Sequence, residues 1–156
     1  MAFNADKFTS AAFRPRTETL DLPALAPFFD AGEPPQWTVR GLTAAEFARA
    51  QDAEKRNSSI DMLIGALSAT QGKAEAVDAA RKALGLTHAN TPGEVAKRLE
   101  MLVAGSVAPV VTMETAVRFS ETFAIDFYLV TNKIVELTGQ GFDLGKPDAA
   151  SPQTTD

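Results

Sequence analysis

The sequence predicts a mainly α-helical domain of about five helices, with a long C-terminal helix and a small N-terminal extended or hairpin element. Three observations carry this expectation. Ala116, Phe119, Phe123, Phe127, Val130, Ile134 and Leu137 are spaced 3, 4, 4, 3, 4 and 3, the period of one face of an α-helix held across about six turns. Thr43 to Glu46 and Thr91 to Glu94 both have the spacing of a capping box, in which Thr accepts from the third helical N–H and Glu reaches back. Gly72, Gly85 and Gly105 each follow an apolar-periodic run, where glycine ends a helix without steric strain.

Taken in order, residues 1–15 are expected to form a flexible arm. Phe3, Phe8 and Phe13 are five apart, a spacing that neither a helix nor a strand places on one face. The alternative is an arm that docks on a partner or a neighbouring copy. Thr17 to Leu22 and Gln36 to Arg40 favour extended backbone, joined through the Pro-rich stretch around Pro34 and Pro35. Pro23 and Pro27 limit any helix between them to a turn or two. Trp37, the only tryptophan, is expected to pack this hairpin onto the core.

Beyond Leu42 the helical signals strengthen. Leu42 before the first capping box and Phe47 after it complete a hydrophobic staple, and the first helix is expected to run to about Arg56. Ser58 and Ser59 are placed to cap a second helix striped by Ile60, Leu63, Ile64 and Leu67. A third helix is expected from Lys73 to Leu84, and a fourth from Pro92, carrying Val95 and Leu99, to Gly105. The fifth runs from Pro109, suited to a first-turn position, to Gly139, suited to the position past the end. Ile125, Tyr128 and Leu129 lie off its main stripe, so it should be covered from two directions. The single domain is expected to span 16–142. The polar tail 143–156, rich in Gly, Pro, Ser, Thr and Asp, has too little apolar content to fold.

Composition removes several classes of function. The net charge is −5 with acids and bases mixed along the chain, unlike the concentrated basic face of a nucleic-acid binder. There are no cysteines, which excludes disulfides and thiolate metal sites. Arg118, Glu121, Asp126 and Lys133 interrupt the long apolar run, which therefore falls short of the ~20 apolar residues needed to cross a bilayer. MAFNADKFTS lacks a secretory signal, and the expectation is a cytoplasmic protein.

Catalytic chemistry finds no support. His88 is the only histidine, so a multi-His metal site is excluded and His-based nucleophilic catalysis lacks its spacing. No GxxxxGK[ST] or GxGxxG phosphate loop occurs. Neither catalytic, cofactor-binding nor metal-binding residues are expected, and the chain is not expected to be an enzyme. Asp126 follows Phe119 by seven residues, about 20° around a helix, so it belongs at the edge of the phenylalanine stripe. It either reaches water there or meets a partner covering the same face.

Three phrases together suggest a family. WTVRGLTAAE (Trp37 to Glu46) leads into the first helix, FAIDF (Phe123 to Phe127) centres the last one, and LVTNKIVELTGQG (Leu129 to Gly141) closes it. This layout, over roughly Phe13 to Phe142, resembles the tail assembly chaperones of long-tailed phages and prophages. The resemblance implies a non-catalytic helical protein that binds the tape measure protein in the host cytoplasm and is absent from the mature virion. Tail tube subunits and further copies of the chain are additional implied partners. Many such phages also make a longer frameshifted form. Trp37, Phe119, Phe123, Asp126, Phe127 and Tyr128 are the residues expected to meet the partner. The rival readings are a structural head–tail connector or tail completion protein and, from another class, a small helical enzyme or regulator.

Overall fold

The computed structural model describes residues 1–71 and 91–145, with the helix path alone for 59–71. Its elements run α1 (Ala5–Ser10), β1 (Phe13–Arg14), β2 (Thr17–Asp21), a 3-10 helix (Pro23–Phe28), β3 (Gln36–Arg40), α2 (Ala44–Gln71), α3 (Gly93–Gly105), β4 (Ser106–Ala108), α4 (Met113–Thr122), α5 (Ala124–Gly139) and β5 (Asp143–Leu144). The chain is mainly helical with small antiparallel sheets, in line with the expected class.

The expected hairpin forms. β2 and β3 pair antiparallel, Thr17 opposite Arg40 and Asp21 opposite Gln36. Alternation along QWTVR buries Trp37 and Val39 on one face, while the Thr19 and Thr38 hydroxyls share a hydrogen bond of 2.8 Å on the other. A third strand, not foreseen, completes the order β2-β3-β4. Three residues directly after a helix are too few to show a period. Trp37 Nε1 donates to the buried Ser106 Oγ at 3.0 Å, tying β3 to β4 and satisfying two polar groups that would otherwise be costly to bury.

The first capping box is realised in full. Glu46 N donates to Thr43 Oγ1 at 3.2 Å and Thr43 N donates to Glu46 Oε2 at 2.8 Å. Arg40 adds two charge-assisted bonds to the same carboxylate, at 2.7 and 3.0 Å. These bonds from Arg40, opposed by partial burial and aided by Thr43, hold Glu46 down to about 2. The same pairing raises Arg40. The end of β3 is thereby fastened to the start of α2.

Two helix boundaries need correction. The helices expected on either side of Ser58 are one continuous α2 of 28 residues. Asn57 Nδ2 donates to Thr91 O at 3.1 Å and a Cβ on Gly93 would meet Ser58 Oγ at 2.7 Å. These residues are therefore used to pack the start of α3, not to restart a helix. The second capping box does not form either. Pro92, not Thr91, holds the cap position without a side-chain bond, and Glu94 pairs with Arg98 at 2.9 Å. The expected third helix, Gly72, Gly85 and His88 lie outside the described residues.

The long helix expected from Pro109 to Thr138 is two helices. Pro109 follows β4 in a cis peptide, and α4 starts instead behind Thr112, whose side chain accepts from Thr115 N at 3.2 Å. α4 stops at Thr122, where Ser120 and Thr122 hydroxyls bond to Val117 O and Arg118 O, the local competition that weakens a helical turn. Phe123 then takes φ −129° and ψ 61°. Its N–H still donates to Phe119 O at 2.9 Å and its carbonyl accepts from Phe127 N at 2.8 Å. The kink therefore leaves the apolar stripe intact: Ala116, Phe119, Phe127, Val130, Ile134 and Leu137 are all buried. At the far end Gly139 is the last helical residue, and the left-handed position falls on Gly141, at φ 71°.

The core lies where α3, α4 and α5 meet the inner face of the three-stranded sheet. α3 and α5 approach closely at Gly105, where a Cβ would stand 2.8 Å from Ile134 Cδ1. Arg98 on α3 donates to Thr131 Oγ1 and Asn132 Oδ1 on α5, at 2.7 and 2.8 Å. The second covered side expected for α5 is not found among the described residues, since Ile125, Leu129 and Val135 are exposed.

Regular elements occur in both segments expected to lack them. Within 1–15 the structure places α1, capped by Asn4, and β1, which pairs with β5 through Phe13 opposite Leu144 and Arg14 opposite Asp143. Asp143 and Leu144, expected as the start of the tail, are therefore paired in a strand. Residues 146–156 lie outside the described residues.

Candidate functional site

Pro23 and Pro27 hold the segment after β2 in a short 3-10 turn, which buries Leu25 and leaves Phe28 73% exposed. On the other side, the loop after β4 turns Val111 into the core and leaves Val110 85% exposed. Between them lies an open cleft of about 940 Å³. Its floor is Trp37 stacked on Phe119, ring centroids 4.9 Å apart and planes 15° apart. Phe123, placed at the kink between α4 and α5, forms one wall and meets Phe28 edge-on at 6.1 Å.

The rim is charged. Asp30 and Glu33 come from the loop before β3, Glu114 and Arg118 from the exposed side of α4. Three carboxylates against one guanidinium give a formal rim charge of −2. Among the described residues none of these four takes part in an ion pair. The site thus combines a stacked aromatic floor, large apolar groups standing in solvent and a net negative border. Exposed apolar patches rimmed by polar residues are the surfaces on which interaction sites are sought.

The residues expected to meet a partner divide. Trp37, Phe119 and Phe123 line the cleft. Phe127 is 1% exposed and lies beneath it, edge-on to Phe119 at 6.1 Å. Asp126 is half-buried in the first turn of α5, where the helix restart gives its carboxylate a favourable position at the positive end of the helix dipole. Tyr128 lies on another side, with the Arg98 guanidinium 4.6 Å from its ring centre. Neither Asp126 nor Tyr128 lines the cleft. Sequence reasoning missed Phe28, Phe29 and Val110, for which the only signal is an apolar pair and an apolar loop residue beside prolines.

A second hollow of about 610 Å³ lies at the other end of the sheet, lined by Arg14, Arg16, Glu18 and Asp143 among others. Its charges balance, and Arg16 already pairs with Asp143 at 2.6 Å. Among the described residues no group of three His, Asp or Glu side chains is arranged to hold a metal ion. No helix among them is long and apolar enough to cross a membrane. No known family model, curated protein or solved structure matches this chain.

Proposed function

We propose that the protein is a non-catalytic phage tail assembly chaperone that holds apolar segments of the tape measure protein until tail tube subunits enclose them. The observation that carries this reading is the open aromatic cleft, with Phe28 and Val110 standing in solvent beside the Trp37–Phe119 stack. A tape measure protein is long and helical, and its apolar faces stay uncovered until the tube forms around it. Laying such a face in a groove removes it from water, at about 25 cal/mol per Å² of apolar surface. Release then needs only competition from tube subunits. The phrases around Trp37 and Phe123 that resemble the family also supply the cleft's floor and wall. In this reading the protein acts in the host cytoplasm, tube subunits and further copies of the chain are its additional partners, and it leaves before the virion is complete.

Co-expression with the tape measure protein tests the reading. The wild-type chain should keep that partner soluble and co-purify with it, and Phe28→Asp with Val110→Asp should abolish co-purification while leaving the fold intact. Mass spectrometry of finished virions should find no copy of this chain. Stoichiometric recovery from virions would instead support a structural connector or completion protein.

A further inference from the structure

We infer that the cleft is selective: its occupant is an amphipathic helix whose apolar anchors are flanked by Lys or Arg. The inference rests on the chaperone reading only for which protein carries that helix. The argument for a helix is the backbone. The one strand that lines the cleft is β3, through Trp37, and β3 is the central strand, paired with β2 on one side and β4 on the other. It has no free edge to which an extended segment could add. Strand addition to it is therefore excluded, whereas a helix arrives with its N–H and C=O groups already paired. The aromatic floor and the exposed Phe28 and Val110 offer apolar surface to the large side chains of such a helix.

The argument for basic flanks is the rim. Asp30, Glu33 and Glu114 outnumber Arg118, and all four are exposed at the border of an apolar surface. A helix with acidic flanks would bring like charges together as the cleft closes, and one with basic flanks would form ion pairs at the edge of a drying interface. Rim charges of this kind set partner choice and association rate more than total affinity.

The sole tryptophan is buried in the floor of the cleft, so occupancy is read from the fluorescence anisotropy of a dye on the peptide. Two dye-labelled helical peptides, sharing one apolar face and flanked either by Lys or by Glu, are titrated with the full chain. At low salt the Lys-flanked peptide should bind roughly tenfold more tightly, the size that about three exposed ion pairs deliver. The preference should shrink as salt rises, and should invert in the triple variant Asp30→Lys, Glu33→Lys, Glu114→Lys. Equal binding of the two peptides, or binding of neither, would overturn the inference, as would a dimer of the chain that Phe28→Asp dissociates. The wild-type titration stands even where the triple variant unfolds. Co-purification of the tape measure protein separates the two claims. If that fails while the peptide preference holds, the chaperone reading falls and the cleft chemistry stands. If co-purification succeeds without any charge preference, the selectivity falls alone.

Discussion

Two phenylalanine groups in this chain show how differently the same side chain is used. In the first, Phe119, Phe123 and Phe127 sit on a helical period, and Phe119 stacks on Trp37 from the sheet while meeting the other two rings. In the second, Phe8 meets Phe3 and Phe13 in tilted pairs with ring centroids 5.4 and 5.2 Å apart, yet all three remain exposed. Position in the chain explains the contrast. The first group lies on and between two consecutive helices packed against a sheet, so Phe119 and Phe127 are covered by elements distant in sequence and Phe123 partly so. The second spans three local pieces, with Phe3 before α1, Phe8 within it and Phe13 on β1, and its rings mainly cover one another.

The largest expected effect breaks the first group. Phe127→Ala removes a ring that is 1% exposed and should cost about 3–5 kcal/mol, a large share of a typical ~5–15 kcal/mol stability. Phe123→Ala, at the half-buried wall of the cleft, should cost less and weaken partner binding more. Urea unfolding of both variants checks the order, and equal destabilisation would place Phe123 wholly in the core. A smaller effect tests the packing beneath the group. Gly105→Ala drives a Cβ against Ile134 and should cost about 1–3 kcal/mol through overpacking, whereas Gly105→Ala paired with Ile134→Val should recover part of the loss in the same assay.

Both phenylalanine groups were visible in the sequence, but only one was legible. The 3–4 period found every buried residue of the stripe because burial follows helical phase, and a one-residue kink at Phe123 barely changes that phase. The kink itself left no period to read: the Ser120 and Thr122 hydroxyls bond to nearby carbonyls beside it, but the same kind of bond occurs at Thr131, where the helix continues. The two capping boxes make the same point. Thr43 to Glu46 forms because Arg40 fixes the carboxylate. Thr91 to Glu94 does not: Pro92 takes the cap position and Glu94 pairs with Arg98. The cleft was half legible: its floor lies on a helix and a strand, and its exposed edge, Phe28 and Val110, lies on a 3-10 turn and a loop with no periodicity.

Acid should separate the two groups further. Glu46 is held at about 2, against an ordinary carboxylate value of 4.5, chiefly by its bonds from Arg40. A lowered folded-state value means the stabilisation is fully present above the ordinary value and is lost as pH falls from there toward the folded value. The pair anchors β3, and with it Trp37, to α2, so its loss should lower stability by roughly 1 kcal/mol. Melting temperatures taken between about pH 6 and about pH 3 should fall more for the wild type than for Glu46→Gln. Identical pH profiles would show that the anchor contributes nothing.

The smallest expected effect concerns the N-terminal group. Its three rings are exposed, and α1 buries no residue. Tilted ring pairs add about 0.5–1.5 kcal/mol when desolvated, but here water competes for every face and the cluster also orders an arm whose entropy opposes it. Phe8→Ala breaks both ring contacts at once, since Phe8 is the middle member. It should therefore shift global stability by less than about 0.5 kcal/mol, the range of surface substitutions away from special features, while Phe127→Ala shifts it several-fold more. Hydrogen exchange separates a local from a global role: amides of α1 should exchange faster in Phe8→Ala, and those of α5 should be unchanged. A loss of protection at α5, or a fall in melting temperature comparable to that of Phe127→Ala, would show that the exposed cluster supports the core through the β1–β5 pair.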